Sequence, residues 1–575
     1  MKYIIYVFGL LISYQSLAQQ ELQTGFEKNG GTSTYENVIS YYELLAGRYD
    51  VVEIKKMGLT DSGNPLHMVV MDLDKHFDLE KSRKDGKTII LINNGIHPGE
   101  PDGIEACQML LRDYAISSKS QKYLKDIVLV VIPIYNIGGA LDRNKTTRVN
   151  QNGPEEYGFR GNARNFDLNR DFVKADTRNT KAFYEIYHLA KPDIFIDTHV
   201  SNGADYQYNI THLATQHDKM GGAMGHYILK DFTPQLEKKL SGKGNEITPY
   251  VNVFNKTPDA EGITQFMDYP RYSTGYTAMF NTLGFMIETH MLKSFDVRVK
   301  ATYDFIQSVI EIASTDGQQI RDLHRTSHVE AGNLYPIRWE LDASNAENIT
   351  FKGYEGAMVT SKVTGKERLF YNRDKPFEKT IPYYNTYKPV KEVVIPRAYI
   401  IPQGWHNVID RLKWNSALYT QLESDTTINV ELYRIDKVET ISNAYEGHYL
   451  HNTIQVSPDK QYIDFRKGDY IFYTDQPAGR YLLETLEPEA TDSFLRWNFF
   501  DTILQQKEGF SPYVFEDLAW LLLKENTTLR QAFEQKKQED TEFANDWYAQ
   551  LYYIYTHSAY YEPAHNRYPV YRLVD

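Results

Sequence analysis

A single cysteine, Cys107, stands among 575 residues. That excludes an intramolecular disulfide and a thiolate metal cluster. Positive charge is also scarce: 63 Lys and Arg face 76 Asp and Glu, for a formal charge of -13. Nucleic acid and anionic membrane surfaces reward clustered Lys and Arg, so both are disfavoured as partners. Long apolar runs are missing as well. Past the N-terminus, no segment reaches the roughly 18 uninterrupted apolar residues that a membrane helix needs. No internal repeat or low-complexity tract is evident. Cys107 itself lies in the helix-like pattern Ile104 to Leu111 and reads as a buried core thiol, not a nucleophile.

What is present fits a globular chain. Hydrophobic residues make up 42% and charged residues 24%, ordinary values for a soluble protein. The length predicts two or three domains. The 45 tyrosines suggest a β-rich, aromatic-packed extracellular protein. At the N-terminus, Met1-Lys2-Tyr3 precedes an apolar stretch from Ile4 to Tyr14 and then Ser16-Leu17-Ala18. This reads as a secretory signal peptide (residues 1–18) cleaved after Ala18. The mature protein is expected to be secreted or periplasmic, and the missing disulfides favour a bacterial periplasm. Residues 19–34 are polar and Gly-rich and read as a loose leader.

Between residues 35 and 318, strand-like and helix-like segments alternate. Strands are expected at Val51 to Ile54, Leu66 to Met71, Thr88 to Ile92, Ile127 to Pro133, Ile194 to His199 and Gly284 to Glu288. Helices are expected at Tyr35 to Tyr49, Pro101 to Tyr114, Lys174 to Ala190 and Phe295 to Ala313. The predicted fold is α/β, with a mixed, largely parallel central sheet flanked by helices. Residues 333–468 read as a β-rich domain. Residues 469–575 read as a mixed region with a strand from Tyr470 to Tyr473 and terminal helices near Glu516 to Lys524 and Leu529 to Lys537.

In open α/β sheets ligands bind beyond the carboxyl ends of the strands. His97, His199 and Glu288 fall at or just after three such ends. A catalytic zinc needs three protein ligands and an open position. His97 and Glu100, three residues apart around Pro98-Gly99, supply two; His199 supplies the third. Glu288, closing an apolar strand, suits a proton-transfer role beside a bound Zn2+.

Four linked motifs carry a resemblance: His97-Pro98-Gly99-Glu100, Phe166-Asp167-Leu168-Asn169-Arg170-Asp171, Asp197-Thr198-His199 and Phe285-Met286-Ile287-Glu288. Their order and separations resemble the zinc carboxypeptidase family, the carboxypeptidase A-like metallocarboxypeptidases, over about residues 35–313. The resemblance implies that His97, Glu100 and His199 bind zinc and that Glu288 is the general base. It implies that Asn169 and Arg170 grip a terminal carboxylate and that Asp167 orients His97. Arg148 resembles the oxyanion-stabilising arginine, with Arg160 and Arg164 as competitors in the same loop. Tyr272 is the choice for the tyrosine over the substrate, with Tyr269 and Tyr276 as rivals.

Several polar residues have plainer readings. His212 and His217 are expected at the surface, and His290 as a hydrogen-bonded wall residue. Asp171 is expected to pair with a neighbouring arginine. Asp197 either supports His199 or caps the sheet edge. The expected activity is that of a secreted zinc metallocarboxypeptidase acting on peptides with a free C-terminal carboxylate. The alternatives are a zinc amidase acting on cell-wall muropeptides and a non-catalytic peptide- or glycan-binding protein.

Overall fold

The computed structural model describes residues 22–326 and 329–574; the expected signal peptide lies outside them. The first strands, in chain order, are β1 (Val52–Leu59), β2 (Pro65–Met71), β3 (Thr88–Asn93), β4 (Ile127–Ile132), β5 (Ile194–Ser201), β6 (Ile210–Ala214), β7 (Ile247–Pro249), β8 (Ile263–Thr264) and β9 (Leu283–His290). All but β8 form one eight-stranded sheet in the order β1-β2-β4-β3-β5-β9-β6-β7. Its four central strands, β4, β3, β5 and β9, run parallel. Antiparallel pairs extend both edges. Every residue of β3, β4 and β5 is buried. Their near-continuous apolar runs are what parallel strands covered on both faces require. Helices Asp102–Ile116, Arg178–Ala190 and Phe295–Thr326 pack on this sheet.

The last of these helices runs past the expected stop at Ala313 and past the domain limit expected at 318. Ser314-Thr315-Asp316-Gly317 looks like a break, but the glycine answers to packing. A Cβ at Gly317 would lie 2.5 Å from Thr88 Oγ1, so the helix keeps glycine to approach β3 closely.

Residues 24–34 are not the loose leader expected from their polarity. Thr24 and Glu27 form a capping box on the short helix Gly25–Asn29. The backbone N–H groups of Phe26 and Ser33 donate to the buried Glu105 carboxylate at 3.1 and 2.7 Å. The polarity of this segment serves a charge buried on the helix beneath it.

The second half is β-rich, as expected. It comprises β10 (Leu334–Leu341), β11 (Glu347–Thr360), β12 (Glu367–Tyr384), β13 (Tyr387–Val394), β14 (Ala398–Ile401), β15 (Thr420–Gln421), β16 (Thr426–Thr440), β17 (His451–Phe465), β18 (Tyr470–Tyr473) and β19 (Tyr571–Leu573). Two long antiparallel hairpins, β11–β12 and β16–β17, dominate it. The boundary expected at 468/469 does not divide the structure. A single six-stranded sheet runs β15-β18-β14-β19-β16-β17 and draws strands from both sides of it. Helices Pro512–Glu525, Thr527–Glu539 and Trp547–Thr556 gather around their own apolar cluster, including Phe515, Phe533, Phe543 and Tyr555.

The two halves join through backbone, apolar and charged contacts. β12 pairs in parallel with β8, and Tyr206, Tyr208, Val251 and Ile263 pack with Phe351, Ile381 and Tyr383. Arg411 donates from Nε to the Lys174 carbonyl at 2.5 Å. His448 Nε2 meets Asp176 Oδ2 at 2.7 Å. Burial alone would raise the Asp176 pKa, but His448 and Lys174 together outweigh it and hold the pKa at about 2, below the usual 3.8. A depressed carboxylate pKa stabilises the fold above the unfolded value, and the effect is lost as pH falls through the folded one. Asp176→Asn should therefore cost roughly 2 kcal/mol at pH 7. It should also flatten the loss of stability between about pH 4 and pH 2, as read by denaturant melts across that range.

Candidate active site

Three parallel strand ends deliver the site. β3 ends at Asn93 and passes into the turn that carries His97 and Glu100. Gly95 there has φ +66°, a conformation glycine adopts without strain. The Glu100 N–H donates to the His97 carbonyl at 2.8 Å, so His97-Pro98-Gly99-Glu100 is a closed β-turn that presents both side chains together. Gly99 is needed for space: a Cβ would stand 2.7 Å from Arg148 Cδ. β5 carries Asp197 and His199, and β9 carries Glu288. His199 and Glu288 are direct register partners on these neighbouring strands.

His97, Glu100 and His199 are all buried, and one ligand atom from each lies within 4.8 Å of the others. The orientation of the two imidazoles is set from behind. His97 Nε2 meets Asp167 Oδ1 at 2.9 Å and His199 Nε2 meets Asp197 Oδ2 at 2.9 Å. That leaves both Nδ1 atoms turned inward, 3.3 and 3.1 Å from Glu100 Oε2. Two imidazoles held by carboxylates and one carboxylate between them form the donor set and backing that zinc sites use. These residues fit a zinc ion.

The electrostatics follow from this crowding. Burial alone would lower the His199 pKa, but Asp197 and the Glu100 hydrogen bond outweigh it and hold it well above the usual value. Burial would raise the Glu100 pKa, yet Arg148 and the two histidines hold it well below the carboxylate range. Glu288 goes the other way. Burial, helped by Glu100 and opposed by His199, lifts its pKa to about 8.

A cavity of about 540 Å³ contains His97, Glu100, Arg148, Arg160, Asn169, Arg170, His199, Tyr272 and Glu288 in its lining. The three expected metal ligands, Glu288, Arg148, Asn169, Arg170 and Tyr272 thus line the same cavity, with Asp167 behind His97. Asn169 and Arg170 lie in a single 3-10 turn capped by the Asp167 side chain. The Arg170 guanidinium lies 4.6 Å from the centre of the Tyr272 ring. Arg148 is engaged on three sides, by Glu100 Oε1 at 2.7 Å, Gln151 Oε1 at 2.6 Å and the Val200 carbonyl at 3.2 Å. Arg160 binds Asp167 through Nε and Nη2 and keeps Nη1 3.3 Å from His97 Nδ1. Arg164 turns away, to the Asp176 carbonyl. Of the tyrosine rivals, Tyr276 is a buried core residue bonded to Asn415, and Tyr269 is not in the lining.

Other expectations need correction. His212 is not a surface group but 4% exposed on β6; the polar residues around it hid a strand that adds to β9. His217 is partly buried. Asp171 pairs with Lys174, not with an arginine, and also accepts from Thr177 and Thr180. Asp197 supports His199 directly. His290 donates from Nε2 to the Ala204 carbonyl at 2.8 Å, as a wall residue would. Ser201, Asn202, Leu213 and Met286, to which the sequence assigns no role, also line the cavity. Leu213 and Met286 are register partners on β6 and β9, so finding β6 would have found them.

Residues 38–235 match the family model of the zinc carboxypeptidases. Carboxypeptidase 2 of Trichophyton rubrum is 22% identical over 422 residues, covering 71% of this chain and 73% of that protein. Carboxypeptidase 2 of Trichophyton equinum is likewise 22% identical, with the same coverage of 71% and 73%. Among solved structures, carboxypeptidase A from Helicoverpa armigera is similar with a TM-score of 0.37 and 13% identity, covering 53% of this chain and 80% of that one. The chain is a metallopeptidase. More particularly, residues 38–235 belong to a zinc carboxypeptidase domain, whose metal is zinc. No helix among the described residues is long and apolar enough to cross a membrane.

Because Asp167 and Asp197 fix the ring orientation, Asp167→Asn and Asp197→Asn should each weaken zinc affinity roughly 10–100-fold. Competition of the purified variants against a zinc-binding dye checks this.

Proposed function

We propose that the protein is an exported carboxypeptidase that removes residues from the C-terminus of peptides. The observation that carries this reading is the juxtaposition, in one cavity, of the His97-Glu100-His199 group with Asn169 and Arg170. A planar guanidinium beside an amide is suited to a free carboxylate, and the distance to the metal-type group is bridged by the cavity itself. His97 and His199, through Nδ1, and Glu100, through its carboxylate, would hold the zinc. When bound, zinc polarises a carbonyl and lowers the pKa of water.

The remaining work falls to the chain's own side chains. Glu288, buried beside His199 and Glu100, takes a proton from the attacking water while ionised and holds it. It then gives that proton to the departing amine nitrogen. Asn169 and Arg170 fix the terminal carboxylate and so set which peptide bond is cut. Tyr272 supports the Arg170 guanidinium with its ring face. For the developing oxyanion, we assign Arg160 ahead of Arg148. Both guanidiniums are engaged, Arg148 by Glu100, Gln151 and Val200 and Arg160 by Asp167, but Arg160 holds Nη1 beside His97 and leaves 44% of its side chain exposed at the cavity. Leu213, Phe266 and Met286 in the lining make a peptide ending in phenylalanine the first substrate to assay. Export rests on the N-terminal signal-like stretch ending at Ala18.

A panel of linear peptides and purified muropeptides, read by mass spectrometry with and without chelator, tests the reading. Loss of single C-terminal residues, abolished by chelator and restored by zinc, is the expected result. Cleavage confined to muropeptides would establish the amidase instead. Glu288→Gln should remove turnover while zinc content stays near one per chain. Arg160→Gln should lower kcat by roughly 10²–10³-fold, as loss of an oxyanion donor does, and by more than Arg148→Gln. Equal losses, or the reverse order, would return the role to Arg148.

A further inference from the structure

Arg271 lies next to the cavity residue Tyr272, and what grips it comes from the distant C-terminal half. Asp492 accepts from the Arg271 backbone N–H at 2.9 Å through Oδ2. Its Oδ1 accepts from Arg271 Nε at 2.8 Å and lies 2.8 Å from Nη2. The Asp492 side chain is fully buried and takes a further bond from Trp497 Nε1 at 3.2 Å. The Arg271 guanidinium also stands 5.2 Å from the centre of the Trp497 ring. A buried, charge-assisted fork of this kind fixes its partner in orientation as well as position.

The residues after Arg271 pass that orientation on. Tyr272 is extended, at φ -91° and ψ 157°, and opens the helix Ser273–Ala278. Its ring meets Arg170. The Ser273 N–H donates to Asn169 Oδ1 at 3.0 Å, and Ser273 Oγ donates to Asp197. Pro270, with its locked φ, stiffens the other side of Arg271. The segment 270–273 is therefore short and stiff, hydrogen-bonded to Asn169 and stacked by its Tyr272 ring against Arg170. The opposite segment is tied in parallel: the Asp167 N–H donates to Glu446 Oε2 at 2.9 Å, two residues before Asn169.

We propose that Asp492 is a positioning residue for the substrate carboxylate: by holding Arg271 it sets Tyr272 against Arg170 and Ser273 against Asn169. The C-terminal half is then a working part of the peptide site. This rests on the assignment of Asn169 and Arg170 to that carboxylate. A carboxylate grip is made equally before and during reaction, so its loss raises KM and leaves kcat near its native value.

The test uses the full-length chain and a pair of probes, N-acetyl-phenylalanine and its primary amide, with binding read by calorimetry. Native protein should bind the carboxylate roughly tenfold more tightly than the amide, as an ionic fork contributes over a neutral contact. Asp492→Asn should shrink that preference to about twofold or less, with zinc content retained and KM for peptides raised. Arg271→Gln, which keeps Asp492 against Trp497, should do the same if Asp492→Asn does not fold. The double variant should lose no more preference than either single change. A folded Asp492→Asn or Arg271→Gln that keeps the native preference would overturn the proposal. Native protein without any preference would instead overturn the Asn169–Arg170 assignment beneath it.

Discussion

The site depends on one buried carboxylate. Asp197 lies fully buried on β5 and gathers groups from three separate elements. Asn93 of β3 donates to its Oδ1 at 3.3 Å, while His199 Nε2 and Ser273 Oγ share its Oδ2. Burying a charge is costly unless it is paired and hydrogen-bonded, and here each partner that lowers the cost is also a component of the site. His199 is aimed by it, β3 is tied to β5 at the edge where the His97 turn begins, and the helix bearing Ser273 is anchored beside Asn169. Removing Asp197 would leave those partners without their common acceptor.

Much of this was legible in the sequence because it rests on short-range signals. Apolar runs marked β3, β4 and the start of β5, and the groups that end them marked the sheet edge. His97 and Glu100 were readable as a pair because Pro98-Gly99 forces a turn. The failures have physical causes of their own. β6 is only five residues long and carries Thr211 and His212, so its polarity disguised a buried strand. Gly317 looks like a helix breaker but answers to Thr88 across the packing interface. Arg148 and Arg160 occupy the same loop, and only their partners in three dimensions, Glu100 for one and Asp167 for the other, tell them apart.

The C-terminal half was the least legible, since its contacts with the catalytic half are nearly all far apart in sequence. Nothing near Asp492 announces that it reaches Arg271, and nothing near Glu446 points to Asp167. Glu446 is a lone acidic residue in a polar stretch, and Asp492 follows Glu487 and Glu489 with nothing to set it apart. The same holds for Asp176 and His448, which meet across 272 positions. Such pairs become visible only once the β8–β12 pairing and the shared aromatic cluster have set the two halves against each other.

The placement of β19 adds a temporal consequence. Residues 571–573 lie between β14 and β16, strands that begin at positions 398 and 426. That sheet cannot close while the chain is being made until residue 573 is free to insert. Pairings of such sequence separation form slowly. The catalytic half, by contrast, is translated first and can begin folding alone. The three residues fit to hold zinc are all present by residue 199, while Glu446 and Asp492, which tie down the cavity's flanking segments, stay unsettled until the later sheet is complete. On the proposed assignments, a growing chain assembles its metal group early and its carboxylate grip late.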